Sequence, residues 1–251
     1  MKKKIIIIAV GIMLTTILIL ILIFCNKITE PVTIAHLAYD KYEQFGYTVY
    51  IKETDGYKPY LVLTNKYNDN TLLLRKHVLP EIHIFNPLYP NSGYKNYYEN
   101  SEVDMFINVE YRRTLDETIR KKIVPSTIVI TAKFSGPDAH TIEIVRNIFL
   151  LSVTEIGRLK YTASLVEGIP LKYFEIVENR IAYDETGESK GWYLRTSSIY
   201  NSDTVFAYGD MLGTSAVYYA WNVRPAFCVN GDEPITTRDD IIPGEVVYVF
   251  E

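Results

Sequence analysis

The sequence predicts an α+β protein: an N-terminal transmembrane helix plus one mixed, mainly antiparallel β domain with short helices. Three observations carry that expectation. An uncharged apolar run fills most of the first two dozen residues. Short β-rich runs separated by turn residues dominate the remainder. Two capping patterns mark brief helices among them.

The chain opens Met1-Lys2-Lys3-Lys4 and then runs from Ile5 to Phe24 without a charge. About 20 apolar residues are what a helix needs to cross roughly 30 Å of hydrocarbon. Only a helix satisfies its own backbone there, so the many isoleucines do not argue against one. Three lysines precede the run and only Lys27 follows closely, which places the N-terminus in the cytoplasm and the rest outside. A cleaved signal peptide would have a shorter apolar region and small residues before the cut. Here the run ends Leu22-Ile23-Phe24-Cys25, and the large Phe24 also speaks against lipidation of Cys25. The boundaries that follow are a signal anchor over 1–24, a tether over 25–44 and an extracellular domain over 45–251.

Lys2, Lys3 and Lys4 are three of the 26 basic residues, so 23 face 30 acidic ones outside, a net charge of −7. An acidic ectodomain excludes nucleic acid as a natural partner, because that affinity rests on phosphate neutralisation. Cys25 and Cys228 lie too far apart in character to form a disulfide framework, and Cys228 reads as a small buried hydrophobe. The 21 tyrosines supply amphipathic contact area suited to sugars, peptides or protein surfaces, although a compositional bias of the source genome explains them equally well.

Along the domain, Tyr47–Lys52 and Tyr60–Thr64 alternate around an Asp55-Gly56 turn, and Asn68-Asp69-Asn70 turns the chain into Thr71–Leu79. Three strands in a meander therefore open the domain. A Tyr- and Pro-rich loop spans 86–100. Ser101-Glu102-Val103-Asp104 caps a helix with apolar residues Val103, Phe106, Ile107 and Tyr111, and a second helix over 115–124 ends before Pro125. Strands fit 126–133 and 141–151, and Ser152-Val153-Thr154-Glu155 starts another short helix. After a polar loop over 179–190, strands fit 191–196, 204–208, 214–221, 223–229 and 245–250.

Gly191-Trp192-Tyr193-Leu194-Arg195-Thr196-Ser197, followed by Val223-Arg224-Pro225-Ala226-Phe227-Cys228-Val229, resembles a bacterial domain family of unknown function common in Gram-positive bacteria. That family carries W-W-L-R-S-P and then V-R-P-A. Counterparts to Leu72–Lys76, Tyr97–Asp104 and Ile148–Ser152 extend the likeness over most of 45–230. Tyr193 replaces the second tryptophan, and Thr196-Ser197 replaces Ser-Pro. The resemblance brings no activity with it. It implies a C-type-lectin-like arrangement of the Trp-containing strands, which does not fix function. Trp221-Asn222-Val223 lacks the third ligand of the calcium-binding strand of sugar-binding lectins, so calcium-dependent sugar binding does not carry over.

Among chemical groups, His77, Glu81 and His83 have metal-ligand identities, but Pro80 breaks any helix between them. Asp232, Glu233, Asp239 and Asp240 form a late acidic loop with calcium-type oxygens, read more simply as solvated. No catalytic triad, nucleophile elbow or phosphate loop stands out. Arg195 and Arg224 each sit in an otherwise apolar run and must find partners, in loop carbonyls or in carboxylates such as Asp203 or Asp210, or else line a groove with Trp192, Tyr193 and Trp221. Those five residues are the candidate ligand contacts, for an anionic or sugar ligand. The expectation is a non-catalytic recognition module for a glycan, cell-envelope or protein ligand, needing no metal and no cofactor. An envelope hydrolase, using the acidic loop or Cys228, is the alternative.

Overall fold

The first hairpin forms where its turn chemistry places it. In the computed structural model, which describes residues 32–40, 47–87, 96–132, 138–158, 164–198, 203–208 and 211–251, strand β1 (Thr48–Glu53) pairs antiparallel with β2 (Gly56–Tyr67). Gly56 takes φ +126°, a region that L side chains rarely adopt. β2 turns into β3 (Asn70–Arg75) through Asn68 and Asp69, both at positive φ, a two-residue turn whose twist matches its strands. The predicted meander is present.

The chain continues through β4 (Ile82–Ile84) to helix α1 (Glu102–Phe106), a π-helical turn (Ile107–Tyr111) and α2 (Arg112–Thr114). Ser101 Oγ accepts from the Asp104 amide at 3.2 Å, the expected cap. Next come α3 (Glu117–Lys122), β5 (Ile123–Val124), β6 (Ser126–Thr131), β7 (Thr141–Arg146) and β8 (Ile148–Phe149). The last third holds β9 (Ala182–Tyr183), β10 (Ser189–Lys190), β11 (Trp192–Ser197), β12 (Asp203–Tyr208), β13 (Met211–Ala216), β14 (Ala220–Asn222), β15 (Ala226–Val229), β16 (Thr236–Ile242) and β17 (Glu245–Phe250).

These strands build two larger sheets among the described residues. The first runs β16-β17-β1-β2-β3-β15-β5, with β8 also on β15. The last strand closes on the first by parallel pairing, Tyr50 opposite Val249. The second runs β13-β12-β11-β14-β4. Leu72, Leu73 and Leu74 of β3 and Ala226 to Val229 of β15 are buried without alternation, as strands covered on both faces require. The domain is thus β-rich α+β, in line with the expected class.

Four local readings differ from the structure. The capping box at Ser152 forms, but turns rather than a helix follow it. The polar stretch 179–190 contains a hairpin, β9 with β10. The late acidic segment contains strand β16, missed because its exposed face is polar. Residues 33–40, expected within the tether, pack as domain: Ile34 and Leu37 are buried and the Ile34 amide bonds the Glu233 carbonyl. The compact unit runs Thr33–Glu251. The expected anchor lies outside the described residues; among those described, no helix is long and apolar enough to cross a membrane.

Replacing Gly56 by Ala meets open space but the wrong backbone region. Gly56→Ala is expected to cost about 1–3 kcal/mol by chemical denaturation. An unchanged midpoint would show that the turn relaxes freely.

Candidate functional site

Strand β11 carries three of the expected residues, Trp192, Tyr193 and Arg195, all of them buried. Arg195, fully buried, donates from Nη1 to Glu155 Oε2 at 2.7 Å and from Nη2 to Glu155 Oε1 at 2.8 Å. Its remaining donors reach the Leu150 carbonyl at 2.8 Å and the Val129 carbonyl at 3.0 Å. Glu155 also accepts from Tyr67 Oη at 2.7 Å and the Ser152 amide at 2.9 Å. Burial alone would lower the Arg195 pKa; Glu155 overrides it and holds the guanidinium above its ordinary value. The carboxylate partner among the described residues is therefore Glu155; the side chains of Asp203 and Asp210 lie outside them. Arg195 acts here as framework.

Glu167 lies beside this pair. Its Oε1 accepts from the Thr131 amide and hydroxyl, both at 2.7 Å, and its Oε2 from Thr196 Oγ1 at 2.6 Å. Burial raises its pKa, against the influence of Arg195 and of these hydrogen bonds.

Arg224 is solved differently. Only 2% exposed, it directs Nε to the Arg75 carbonyl at 3.0 Å and lays its guanidinium over the Trp192 ring, 5.2 Å from the centroid. Nη1 is buried and meets no hydrogen-bond partner among the described residues. Burial lowers its pKa to about 10, with only Tyr173 acting against it. Arg75, by contrast, holds Glu53 at 2.9 Å and the His77 and Val78 carbonyls.

A cavity of about 430 Å³ opens beside Arg224. The chain leaving β3 supplies Lys76 and His77; the segment 173–187 supplies Tyr173, Glu178, Tyr183 and the acids Asp184 and Glu185. The two walls are tied by a bridge between His77 and Tyr183. Burial, then Lys76, Arg75 and Arg224, push the His77 pKa down, so its ring is neutral at pH 7. Asp184 is held by Thr186 and Lys190, and Glu185 by Lys58 and Arg75.

The five candidate residues do not share one groove. Trp192 and Arg224 meet, with Trp192 Nε1 donating to the Arg180 carbonyl at 3.2 Å. Tyr193 is buried against Phe85, and its hydroxyl donates to the Tyr219 carbonyl. Trp221, half-buried, donates to Ser215 Oγ at 2.9 Å beside a shallow cleft of about 460 Å³ with the exposed Tyr219. A further cleft of about 450 Å³ lies over Tyr67 and Glu155, but that carboxylate is already paired with Arg195.

The other candidates separate too. His83 stacks on Phe106, ring centroids 3.6 Å apart, while His77 faces the Arg224 cavity. Cys228 is buried, and burial pushes its thiol up to about 12, the reverse of nucleophile activation. Glu233 pairs with Lys122 and Asp240 with Arg238. Among the described residues, no three His, Cys, Asp or Glu side chains gather as a metal site. The walls Tyr173, Glu178 and Tyr183 escaped sequence reasoning, since they come from a segment with no periodic signal.

Fold and site together define a β-rich domain with a paired arginine in its core and an uncompensated arginine in an aromatic-walled cavity. Residues 68–231 match the family described as a domain of unknown function, DUF6273, and the chain belongs to it. No curated protein and no solved structure matches the chain. The match covers both Trp192–Ser197 and Val223–Val229, so a domain family of unknown function is the right level of resemblance.

The two arginines should respond unequally to removal. Arg195→Met strands Glu155 in the core and is expected to cost about 3–5 kcal/mol in urea denaturation. Arg224→Met leaves the Arg75 carbonyl one donor short but relieves a buried charge, so a change within about 1 kcal/mol of zero is expected. Equal losses would refute the distinction.

Glu167 makes a pH prediction. Its folded pKa is raised above the ordinary 4.5, so the folded state holds its proton more tightly than the unfolded chain does. Its contribution is full below 4.5 and is lost as pH rises toward the folded pKa. Glu167→Gln should flatten the stability–pH curve over that window in thermal melts; an unchanged curve would exclude Glu167 as its source.

Proposed function

We propose that this chain is a membrane-anchored recognition domain, displayed outside a bacterial-type cell, that binds a cell-envelope ligand without turning it over. The observation that carries the reading is Arg224: a buried guanidinium lining a cavity walled by Tyr173 and Tyr183, its Nη1 without a hydrogen-bond partner among the described residues. A buried charge left without a carboxylate is costly, and such a group is retained where a ligand supplies the missing partner.

In this reading Arg224 contacts the ligand and Trp192 supports it from behind. Tyr193 and Arg195 hold the strands in place, and Trp221 with Tyr219 offers a second, more open contact for a glycan or protein. The anchor at residues 5–24 rests on its uncharged length and the lysines before it. The lectin-like arrangement rests on the resemblance around Trp192 and Val223, and no calcium takes part.

The test is sedimentation binding of the full chain, in detergent micelles, to purified envelope fractions. Wild type is expected to co-sediment, and Arg224→Met to weaken binding about 30-fold or more. Trp221→Ala should have a smaller effect. Failure of wild type to bind any fraction, or equal binding by Arg224→Met, overturns the reading.

A further inference from the structure

We propose that the Arg224 cavity takes the carboxylate of a zwitterionic ligand, an α-amino acid or a molecule ending in one, with the ligand's ammonium group facing Glu178. The inference deepens the recognition reading and rests on it.

Three features point to this class. The guanidinium is a planar fork that lines the cavity, and with Nε fixed on the Arg75 carbonyl its Nη1 has no hydrogen-bond partner among the described residues, so the fork is unfilled. A carboxylate there would restore the pairing that Arg75 and Arg195 already have with Glu53 and Glu155. Second, the cavity is bipolar. Glu178 lines it, is exposed, and has no hydrogen bond or ion pair to its carboxylate among the described residues. It lies in the same cavity as Arg224 without pairing with it, so the two charges are offered to something between them. Third, the neighbouring acids Asp184 and Glu185 are already paired with Lys190, Lys58 and Arg75, which leaves Glu178 as the lining carboxylate without a cation among the described residues. The unpaired Glu178 disfavours a dianion such as phosphate and suits a monoanion carrying its own cation. At about 430 Å³ the cavity suits a small ligand or the end of a larger one.

The probes are glycine and D- and L-alanine, with acetate, methylamine and inorganic phosphate as comparators, added to the full chain in detergent micelles. Binding is read by saturation-transfer NMR and by thermal shift. An amino acid is expected to bind at least about tenfold more tightly than acetate, and phosphate more weakly than acetate. Arg224→Met and Arg224→Lys should abolish binding of both carboxylates, the second variant keeping the charge while losing the fork. Glu178→Gln, at an exposed position, should erase the advantage of amino acid over acetate and leave acetate binding intact. Phosphate binding tighter than acetate, no carboxylate binding by wild type, or variants that bind like wild type would each overturn the proposal. Amino-acid binding without envelope binding sinks the recognition reading alone. Envelope binding lost in Arg224→Met, without amino-acid binding, sinks this inference alone.

Discussion

The Glu155–Arg195 pair is the constraint around which the domain is arranged. Two charges without solvent exposure are tolerated only when nearly every donor and lone pair is matched, because desolvation otherwise exceeds the Coulombic gain. Matching them requires β11 for the arginine, the Ser152 turn for the glutamate, β2 for Tyr67, and the carbonyls of Val129 and Leu150. The pair therefore joins the second sheet to strands and turns packed on the first. Gly168 belongs to the same arrangement: at φ +88°, its missing Cβ would lie 2.9 Å from Glu155 Oε1. A side chain there would push the carboxylate off its partners, so glycine is needed for both backbone and space.

The capping box at Ser152 shows why local pattern and tertiary use diverge. Ser152 Oγ accepts from the Glu155 amide at 3.1 Å, and Glu155 Oε2 accepts from the Ser152 amide at 2.9 Å, the reciprocal pair that begins a helix. The chain bends instead, with Gly157 at φ +82° beside the Arg180 side chain and the Phe174 carbonyl. The turn's reciprocal hydrogen bonds hold the glutamate where it also meets Arg195. A helix would continue the same hydrogen bonding but would carry the chain away from the segment that Arg180 ties down through the Ile156 and Phe174 carbonyls.

Much of the scaffold was legible because its signals are local. Asp55-Gly56, Asn68-Asp69 and Ser101 each act within four residues, and the meander and the first helix follow from them. The strand β16 and the hairpin in 179–190 were not legible, since polar, exposed strands lack the apolar alternation that marks a half-buried one. The site was half legible. An arginine among apolar residues announces a problem of desolvation at both 195 and 224, but sequence does not say which one is answered within the chain. That depends on Glu155, 40 positions away from Arg195, and on Arg224 having no ion pair with a carboxylate among the described residues. The side chains of Asp203 and Asp210 lie outside the described residues, while the loop carbonyls expected as partners do serve both arginines.

Three carboxylates line the Arg224 cavity, so its unpaired state needs its own explanation. Asp184 accepts from the Thr186 and Glu188 amides and meets Lys190 at 3.3 Å, which pins it to its own turn. Glu185 is drawn outward to Lys58 at 2.9 Å and shared with Arg75 at 3.2 Å. Arg75, in turn, is saturated by Glu53, and its own carbonyl takes the Arg224 Nε. The acids nearest in sequence to the cavity are thus neutralised by other cations, while Arg224 is held in place by a carbonyl and an indole ring, neither of which discharges it. A collapsed ion pair would have been the simpler way to fill this space. The contacts of Asp184 and Glu185 engage those two carboxylates elsewhere, and the guanidinium stays buried between the Arg75 carbonyl and the Trp192 ring.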